Sequence, residues 1–232
     1  MKPLLCIALD DLWEEEHSTL TKVEAILQKV PPDRLVLKAN LDFALKRGLK
    51  DAVQLLQSFS AQLFVDLKMF NGSRTMERIA QSLVDLDVDY FNVHLLADKE
   101  SRTAIKAAKT SKTRVLGVTV LSHMDEGYCQ QIFKLPRKSV VRNLAQLGNR
   151  LGCDGIILPA DTIPVIQHSS LLCATGIRPT WYKDTRHAVE TTPTKAVEIG
   201  ADILVCGGPI MNSEDPGAAA TRILDEMDSV GF

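Results

Sequence analysis

The segment Leu63-Phe64-Val65-Asp66-Leu67-Lys68 is a short apolar run that ends in two charged residues. Residues two positions apart on a β-strand point to the same face, so Asp66 and Lys68 should share a face while Leu67 points away. Neither charge would be stable without a partner in an apolar setting. The segment therefore predicts a buried strand whose end carries a paired aspartate and lysine.

Seven other runs of similar length lie along the chain, rich in Val, Ile and Leu and nearly free of charge, as is typical of buried parallel strands. Eight such strands alternating with helix-like segments over 232 residues predict one α/β domain, a closed TIM-type (β/α)8 barrel spanning residues 1–232. An open doubly wound sheet is the alternative, although no GxGxxG follows the first strand and no P-loop is present. The seven runs are Leu4–Leu9, Leu35–Leu37, Tyr90–Val93, Val115–Val120, Gly155–Leu158, Leu171–Ala174 and Ile203–Val205.

Segments with a helical spacing of apolar residues lie between most of these runs. Three have recognisable starts: Ser73 is a candidate N-cap, Pro193 suits a first helical turn, and Asp215 precedes Pro216. Helices that alternate with short buried strands are what a parallel barrel requires. The segments are His17–Val30, Ala52–Phe59, Arg74–Leu86, Lys99–Thr110, Ser139–Leu151, Thr194–Ile199 and Pro216–Met227.

Charge and cysteine content limit the classes of partner. The chain has 27 basic and 29 acidic residues, a formal net charge of −2, and no cluster of lysine and arginine. These features predict no nucleic-acid partner and no attachment to a membrane surface. No stretch of about 20 apolar residues predicts a transmembrane helix, and the amino-terminal residues do not resemble a signal peptide. The five cysteines are scattered without CxxC spacing, which favours reduced thiols in the cytoplasm.

Polar residues follow the predicted strands, and in such barrels the chemistry lies at the C-terminal ends of the strands. Lys38, at the end of the second strand, is expected to reach the space that Asp66 and Lys68 face. The alternative is a buried Lys–Asp pair that only holds the strands in register. His94 alone is better explained as a hydrogen-bonded strand-end histidine than as an acid or base, and Asp10 could be a helix N-cap. The candidates are Asp10, Lys38, Asp66, Lys68, His94, Thr119, Ser122, Gly176, Arg178, Gly207 and Gly208.

The remaining histidines predict no metal site. His17, His123, His168 and His187 show no metal-ligand spacing with a cysteine or a carboxylate. No GxSxG motif is present, so nothing indicates the nucleophile of an α/β-hydrolase.

Several short motifs follow one another from residue 8 to residue 216, and their order is more informative than any one of them. In the central motif, residues 64–71, Asp66, Lys68 and Asn71 occupy the three named positions of a D-x-K-x-x-D signature. Together the motifs resemble those of the orotidine 5'-phosphate decarboxylase superfamily. The others are Ala8-Leu9-Asp10, residues 36–40, Asn92-Val93-His94, residues 117–122, Asp154-Gly155-Ile156, residues 175–179 and residues 192–216.

The resemblance implies that the chain converts orotidine 5'-monophosphate to uridine 5'-monophosphate without a metal or organic cofactor. Asp66 would lie beside the substrate carboxylate, and Lys68 would protonate the carbanion that forms at C6. Lys38 would hold Asp66 and a ribose hydroxyl, Asp10 would bind ribose, and Ser122 would contact the pyrimidine. A homodimer with active sites at the subunit interface is also implied. Further substrate contacts are expected from His94, Thr119, Gly176, Arg178, Gly207 and Gly208.

One position separates branches of the superfamily. Magnesium-dependent sugar-phosphate relatives carry an acidic metal ligand where Lys38 stands, and a lysine cannot bind magnesium. The resemblance therefore favours the orotidylate decarboxylase over the sugar-phosphate enzymes.

Three positions depart from the family pattern. Asn71 replaces an aspartate that reaches the neighbouring subunit's site, which removes one negative charge near the lysines. Gly208 replaces an arginine that grips the phosphate, and residues 183–185 replace a glutamine that covers it. We expect lowered turnover and weaker phosphate binding; the alternative is a diverged paralogue that binds another phosphorylated small molecule, with or without catalysis. Candidate substitutes for the arginine are Arg178, Lys183 and Arg186.

Overall fold

The computed structural model describes residues 2–166, 170–183 and 190–231. Within these residues eight parallel strands form one closed barrel in chain order, and the last strand pairs with the first. The predicted (β/α)8 barrel is therefore confirmed, and the open sheet is excluded. His168, Asp184, Thr185, Arg186 and His187 lie outside the described residues. The strands are β1 Leu4–Ala8, β2 Leu35–Asn40, β3 Gln62–Met69, β4 Tyr90–His94, β5 Arg114–Val118, β6 Gly155–Pro159, β7 Leu171–Thr175 and β8 Ile203–Cys206.

The seven predicted helices correspond to α1, α3, α4, α5, α7, α8 and α10 of the structure, and three short ones, α2, α6 and α9, were not predicted. Asp215 caps α10 by accepting from the Ala218 N–H at 2.9 Å. Ser73, in contrast, is not an N-cap: it is the first residue of its helix, and its own N–H donates to Glu100 at 3.0 Å. The helices are α1 Glu16–Leu27, α2 Leu41–Arg47, α3 Leu49–Gln57, α4 Ser73–Asp85, α5 Ser101–Ala108, α6 Glu126–Phe133, α7 Arg137–Leu151, α8 Pro193–Glu198, α9 Gly208–Met211 and α10 Pro216–Asp228.

Alternation along the strands divides the apolar residues between two cores. One core lies between the strands and the helices, and the smaller one fills the barrel with side chains such as Val36, Phe64 and Tyr90. The next inward position along each of these strands is polar: Lys38 on β2, Asp66 on β3 and Asn92 on β4. The barrel interior therefore changes from apolar to polar towards the C-terminal ends of the strands.

Three aspartates form the same type of hydrogen bond at the N-terminal ends of the strands. Each directly precedes an even-numbered strand and accepts a hydrogen bond from the second residue of the strand before it. The bond satisfies a strand-end N–H and fixes the register of two neighbouring strands. Before β2 the equivalent residue is Arg34, which pairs with Asp228 at 2.8 Å instead. The bonds run from Leu63 N to Asp89, from Val115 N to Asp154 and from Leu172 N to Asp202, each at 2.8 Å.

The described residues contain no helix that is long and apolar enough to cross a membrane. All five cysteines are free and buried. Burial raises the pKa of the Cys6 and Cys153 thiols to about 12, so both remain protonated at neutral pH.

We predict that Asp202→Ala lowers the free energy of unfolding by about 1 kcal/mol, because the Leu172 N–H loses its acceptor. Asp202→Asn keeps an acceptor oxygen and should cost clearly less. Urea denaturation of the three proteins measures the difference. Equal losses in both variants would show that the hydrogen bond is not what stabilises this end of the barrel.

Candidate active site

A cavity of about 350 Å³ lies at the C-terminal ends of the strands. Nine of the twelve predicted site residues line it, together with an apolar floor that includes Phe64, Val118 and Ile157. The structure therefore brings together residues from the first, second, third, fifth, seventh and eighth strand ends. The nine residues are Asp10, Lys38, Asp66, Lys68, Ser122, Gly176, Arg178, Gly207 and Gly208.

A network of opposite charges occupies one side of this cavity. The Lys68 ammonium lies 2.8 Å from both carboxylate oxygens of Asp66, and the Lys38 ammonium donates to the same carboxylate at 3.0 Å. Asp66 and Lys38 are 7% and 6% exposed, whereas the Lys68 side chain is 41% exposed. A buried carboxylate is thus held between a buried cation and one that faces the open cavity.

The charges of this network reinforce one another. Burial alone would raise the pKa of Asp66, but the ammonium groups of Lys38 and Lys68 outweigh it and hold that pKa far below its usual range. Burial would likewise lower the pKa of Lys38, but Asp66 and Asp10 outweigh it and raise that pKa. Asp66 is therefore ionised and Lys38 protonated at neutral pH. Such a site supplies a fixed negative charge beside an accessible proton donor.

The backbone at Lys68 departs from a regular strand. The pairing of β3 with β4 shifts register between Val65 and Met69, and Lys68 has a φ of 46°. This left-handed conformation is uncommon for residues other than glycine, so it has to be held by its surroundings. The Lys68 N–H donates to the Asn92 side chain at 2.6 Å, which holds it. The predicted pairing of Asp66 with Lys68 is present. It forms at an irregular strand end, however, and not along a regular strand as predicted.

Two asparagines of the network were not predicted as site residues. Asn92, 1% exposed, donates to Asp66 at 2.7 Å and accepts from Lys68 N. Asn40 accepts from the Lys38 ammonium at 2.5 Å and donates to Asp10 at 3.0 Å. Two-residue spacing from Lys38 predicts the inward face for Asn40, and an asparagine inside an apolar strand is a comparable signal for Asn92. Both amides therefore add hydrogen bonds to charged groups that already pair with one another.

Asp10 faces the network and is not a helix cap. Its carboxylate lies 3.5 Å from the Lys38 ammonium, and the short 3-10 helix that begins at Asp10 has no side-chain cap. His123, for which the sequence predicted no metal-binding role, also lines the cavity. Among the described residues no group of three His, Cys, Asp or Glu side chains is arranged to hold a metal ion.

Three predicted residues lie outside the cavity lining. The Asn71 side chain is exposed and accepts from the Gly72 N–H at 2.8 Å. The Nδ1 atom of His94 accepts from Leu96 N at 3.3 Å, as a strand-end histidine would, and burial together with the Lys68 charge lowers its pKa. Thr119 is fully buried, and its hydroxyl donates to the Ile157 carbonyl of β6 at 2.9 Å.

Residues at the ends of β7 and β8 also line the cavity. Gly176 has a φ of 77°, which lets the chain turn into Arg178. Arg178 is 6% exposed, lines the cavity and donates to the Ile177 carbonyl at 2.8 Å. Of the three candidate substitutes for the missing arginine, Arg178 therefore reaches the cavity. Lys183 is exposed and does not line it, and Arg186 is outside the described residues.

We predict that Asp66→Ala lowers the free energy of unfolding at pH 7 by about 3 kcal/mol, because Lys38 stays buried without its main partner. The pKa of Asp66 is lower in the folded than in the unfolded chain, so its ionisation stabilises the fold above about pH 4. That contribution is lost as the pH falls below 4, so the difference between the two proteins should shrink at pH 3.

Urea denaturation at several pH values tests this, with the exposed Glu198→Ala as a control. Glu198 pairs with Lys195 on the surface of α8, and its removal should change stability by less than about 0.5 kcal/mol. A difference for Asp66→Ala that is independent of pH would contradict the prediction.

Comparison with known proteins identifies the family. A model of the Orotidine 5'-phosphate decarboxylase / HUMPS family matches residues 3–223. Orotidine 5'-phosphate decarboxylase of Carboxydothermus hydrogenoformans is 29% identical over 245 aligned residues, which cover 99% of this chain and 98% of that protein. The same enzyme of Geobacter sulfurreducens is 32% identical over 186 residues, covering 75% and 78%.

A solved structure agrees with this family over the whole chain. The crystal structure of orotidine 5'-phosphate decarboxylase from Lactobacillus acidophilus has a TM-score of 0.77 at 27% identity and covers 98% of this chain and 100% of that one. The motifs, the barrel and the cavity lining all lie within the region that the family match spans. This chain therefore belongs to the orotidine 5'-phosphate decarboxylase / HUMPS family.

Proposed function

We propose that the protein is a cofactor-independent carboxy-lyase that converts orotidine 5'-monophosphate to uridine 5'-monophosphate in pyrimidine biosynthesis. The observation that carries the proposal is the Lys38–Asp66–Lys68 network on the cavity wall. It offers a fixed carboxylate beside a cavity-facing ammonium, which suits a reaction that moves negative charge from a carboxylate to a neighbouring carbon. The names of the relatives from C. hydrogenoformans and G. sulfurreducens support the same activity.

In the proposed mechanism the substrate carboxylate binds next to Asp66. The bond between C6 and the carboxyl carbon breaks, carbon dioxide leaves, and the electron pair stays on C6. The Lys68 ammonium then donates its proton to C6, and the lysine is reprotonated from water. Lys68 can fill this role because its side chain is open to the cavity, while Asp66 holds its ammonium group and Asn92 holds its backbone N–H. The charges are in place before the reaction, so they stabilise the transition state without reorganisation.

The remaining contacts are assigned by position on the cavity wall. Asp10 and Lys38 would bind ribose hydroxyls, and Ser122 would contact the pyrimidine. Gly176, Arg178, Gly207 and Gly208 line the cavity at the ends of the seventh and eighth strands, where they would bind the phosphate. Thr119 and His94 would support the strand ends around the cavity, since their side chains bond to backbone groups.

The sequence departures lead us to propose a reduced turnover. Asn71 carries no charge, so among the described residues Asp66 is the carboxylate that pairs with Lys68. A second carboxylate beside Lys68 would hold the ammonium in place while the substrate displaces its contact with Asp66. Without it, the cavity attracts an anionic substrate but positions the proton donor less firmly.

We predict that Asn71→Asp raises kcat for orotidine 5'-monophosphate by about tenfold or more, because in the dimer that the resemblance implies it restores a charge near the reacting carbon in the neighbouring subunit's site. Loss of the ultraviolet absorbance of the substrate measures the rate. Lys68→Ala should lower kcat to the background in either form, since the proton donor is gone.

The outcomes separate two functions. Activity in the unmodified protein or in Asn71→Asp supports the decarboxylase. Inactivity in both, together with no binding of uridine 5'-monophosphate, would overturn the proposal and favour a diverged paralogue. The uncharged Asn71 and the missing side chain at Gly208 are the features that favour this second candidate, a protein for another phosphorylated small molecule.

We further propose that the protein acts as a homodimer in the cytoplasm, with no nucleic-acid or membrane partner. Large apolar side chains are exposed around the cavity mouth, after the first four strands, and Phe70 is the direct neighbour of Asn71. The Phe70 ring, 64% exposed, stacks on His94 at 6.1 Å. Several large apolar side chains exposed in one region are typical of a protein–protein interface. The group consists of Trp13, Leu41, Leu45, Phe70 and Leu96.

We predict that Phe70→Asp converts a dimer to a monomer, because an interface of this kind does not tolerate an unpaired buried charge. Size-exclusion chromatography with light scattering gives the mass of each form. Ile132→Asp is the matched control: Ile132 is 55% exposed on α6 and is not a member of this group, so its replacement should leave the mass unchanged. A parent protein that is monomeric at micromolar concentration would contradict the prediction.

A further inference from the structure

The loop after β7 places the Tyr182 side chain directly against Gly208. A β-carbon on Gly208 would lie 2.7 Å from the hydroxyl oxygen of Tyr182 and 3.4 Å from the ring carbon that bears it. The first distance is shorter than any normal contact, and the second is an ordinary one. The Tyr182 hydroxyl therefore occupies the space where the side chain of residue 208 would begin.

Three contacts hold Tyr182 in this place. Its backbone N–H donates to the Pro179 carbonyl at 3.0 Å, which closes a tight turn. Its hydroxyl accepts from the Asn212 amide at 3.2 Å, just beyond the end of α9. Its ring lies 5.7 Å from the guanidinium carbon of Arg178, within the range of a cation–π contact. Tyr182 thus connects the loop after β7 to the segment after β8.

Arg178 lines the cavity and contacts Tyr182, so it links Tyr182 to the cavity. Arg178 and Gly208 both line the cavity, whereas Tyr182 lies behind them. The backbone of Arg178 is also fixed, because its N–H donates to the Thr191 carbonyl at 2.9 Å. An aromatic ring against one face of a guanidinium limits its motion.

We propose that Tyr182 is a positioning residue that holds the Arg178 guanidinium for the phosphate group of the substrate, and that Gly208 is glycine in order to leave room for it. The identity of the anion rests on the proposed function. A guanidinium that is held in place forms charge-assisted hydrogen bonds with phosphate. Arg178, in the loop after β7, thereby supplies a cation that Gly208 cannot supply.

The first experiment compares uridine 5'-monophosphate with uridine, which lacks the phosphate, by calorimetric titration. Tyr182→Ala should weaken the nucleotide about tenfold and leave uridine unchanged, because it releases the guanidinium. Tyr182→Phe keeps the ring and should stay within about threefold of the parent. In an Arg178→Ala background, Tyr182→Ala should have no further effect. Equal weakening of both ligands, or an undiminished effect without Arg178, would overturn the proposal.

The second experiment tests the contact from the side of Gly208. Gly208→Ala should weaken the nucleotide but not uridine, because its β-carbon displaces the Tyr182 hydroxyl. The double variant Gly208→Ala/Tyr182→Phe removes the clashing oxygen and leaves the 3.4 Å contact, so it should recover the parent affinity. Thermal denaturation checks that each variant is folded. A double variant as weak as Gly208→Ala alone would count against the proposal.

Inorganic phosphate separates this inference from the proposed function. A parent protein that neither decarboxylates the substrate nor binds the nucleotide refutes the decarboxylase. In that case, a rise in thermal midpoint with inorganic phosphate that is lost in Tyr182→Ala still supports the role of Tyr182. No response of the parent to either phosphate or nucleotide would overturn both.

Discussion

The carboxylate of Asp66 has to be kept ionised inside a barrel that is otherwise packed with apolar side chains. An unpaired charge in such a place would cost several kcal/mol, so the surroundings must supply partners for both of its oxygens. Lys38, Lys68 and Asn92 do so from three neighbouring strands. The unusual backbone at Lys68 follows from this requirement, because a regular strand would not place its N–H against Asn92. Completing one buried ionic network thus determines the local geometry of the second, third and fourth strand ends.

The two ends of the barrel are built for different purposes. At the N-terminal ends of the strands, Asp89, Asp154 and Asp202 use their carboxylates to satisfy backbone N–H groups and fix register. At the C-terminal ends, the carboxylates and ammonium groups contact each other and face an open cavity. Stability and chemistry are therefore separated along the barrel axis, with the apolar interior between them. This separation allows positions such as Asn71 and Gly208 to change without affecting the barrel.

The ends of β7 and β8 illustrate how a loss at one position is linked to a gain at another. Gly208 has no side chain to offer an anion, yet its small size admits Tyr182, and Tyr182 contacts Arg178. The relevant unit is therefore the set of three residues on two loops. In the proposed function, this unit binds the phosphate, while the Lys38–Asp66–Lys68 network carries out the chemistry in the same cavity.

The sequence alone was sufficient for the barrel and for the central pair of the site. Eight apolar runs and the two-residue spacing of Asp66 and Lys68 are local patterns, and local patterns determine which residues form strands and which face they share. The sequence did not indicate the helices α2, α6 and α9. It also could not decide which strand-end side chains face the cavity: Asn92 and Asn40 join the network, whereas Thr119 and His94 bond to backbone groups. For Asn92 and Thr119 the hydrogen-bond partners lie on other strands, and only closure of the barrel brings these partners within reach.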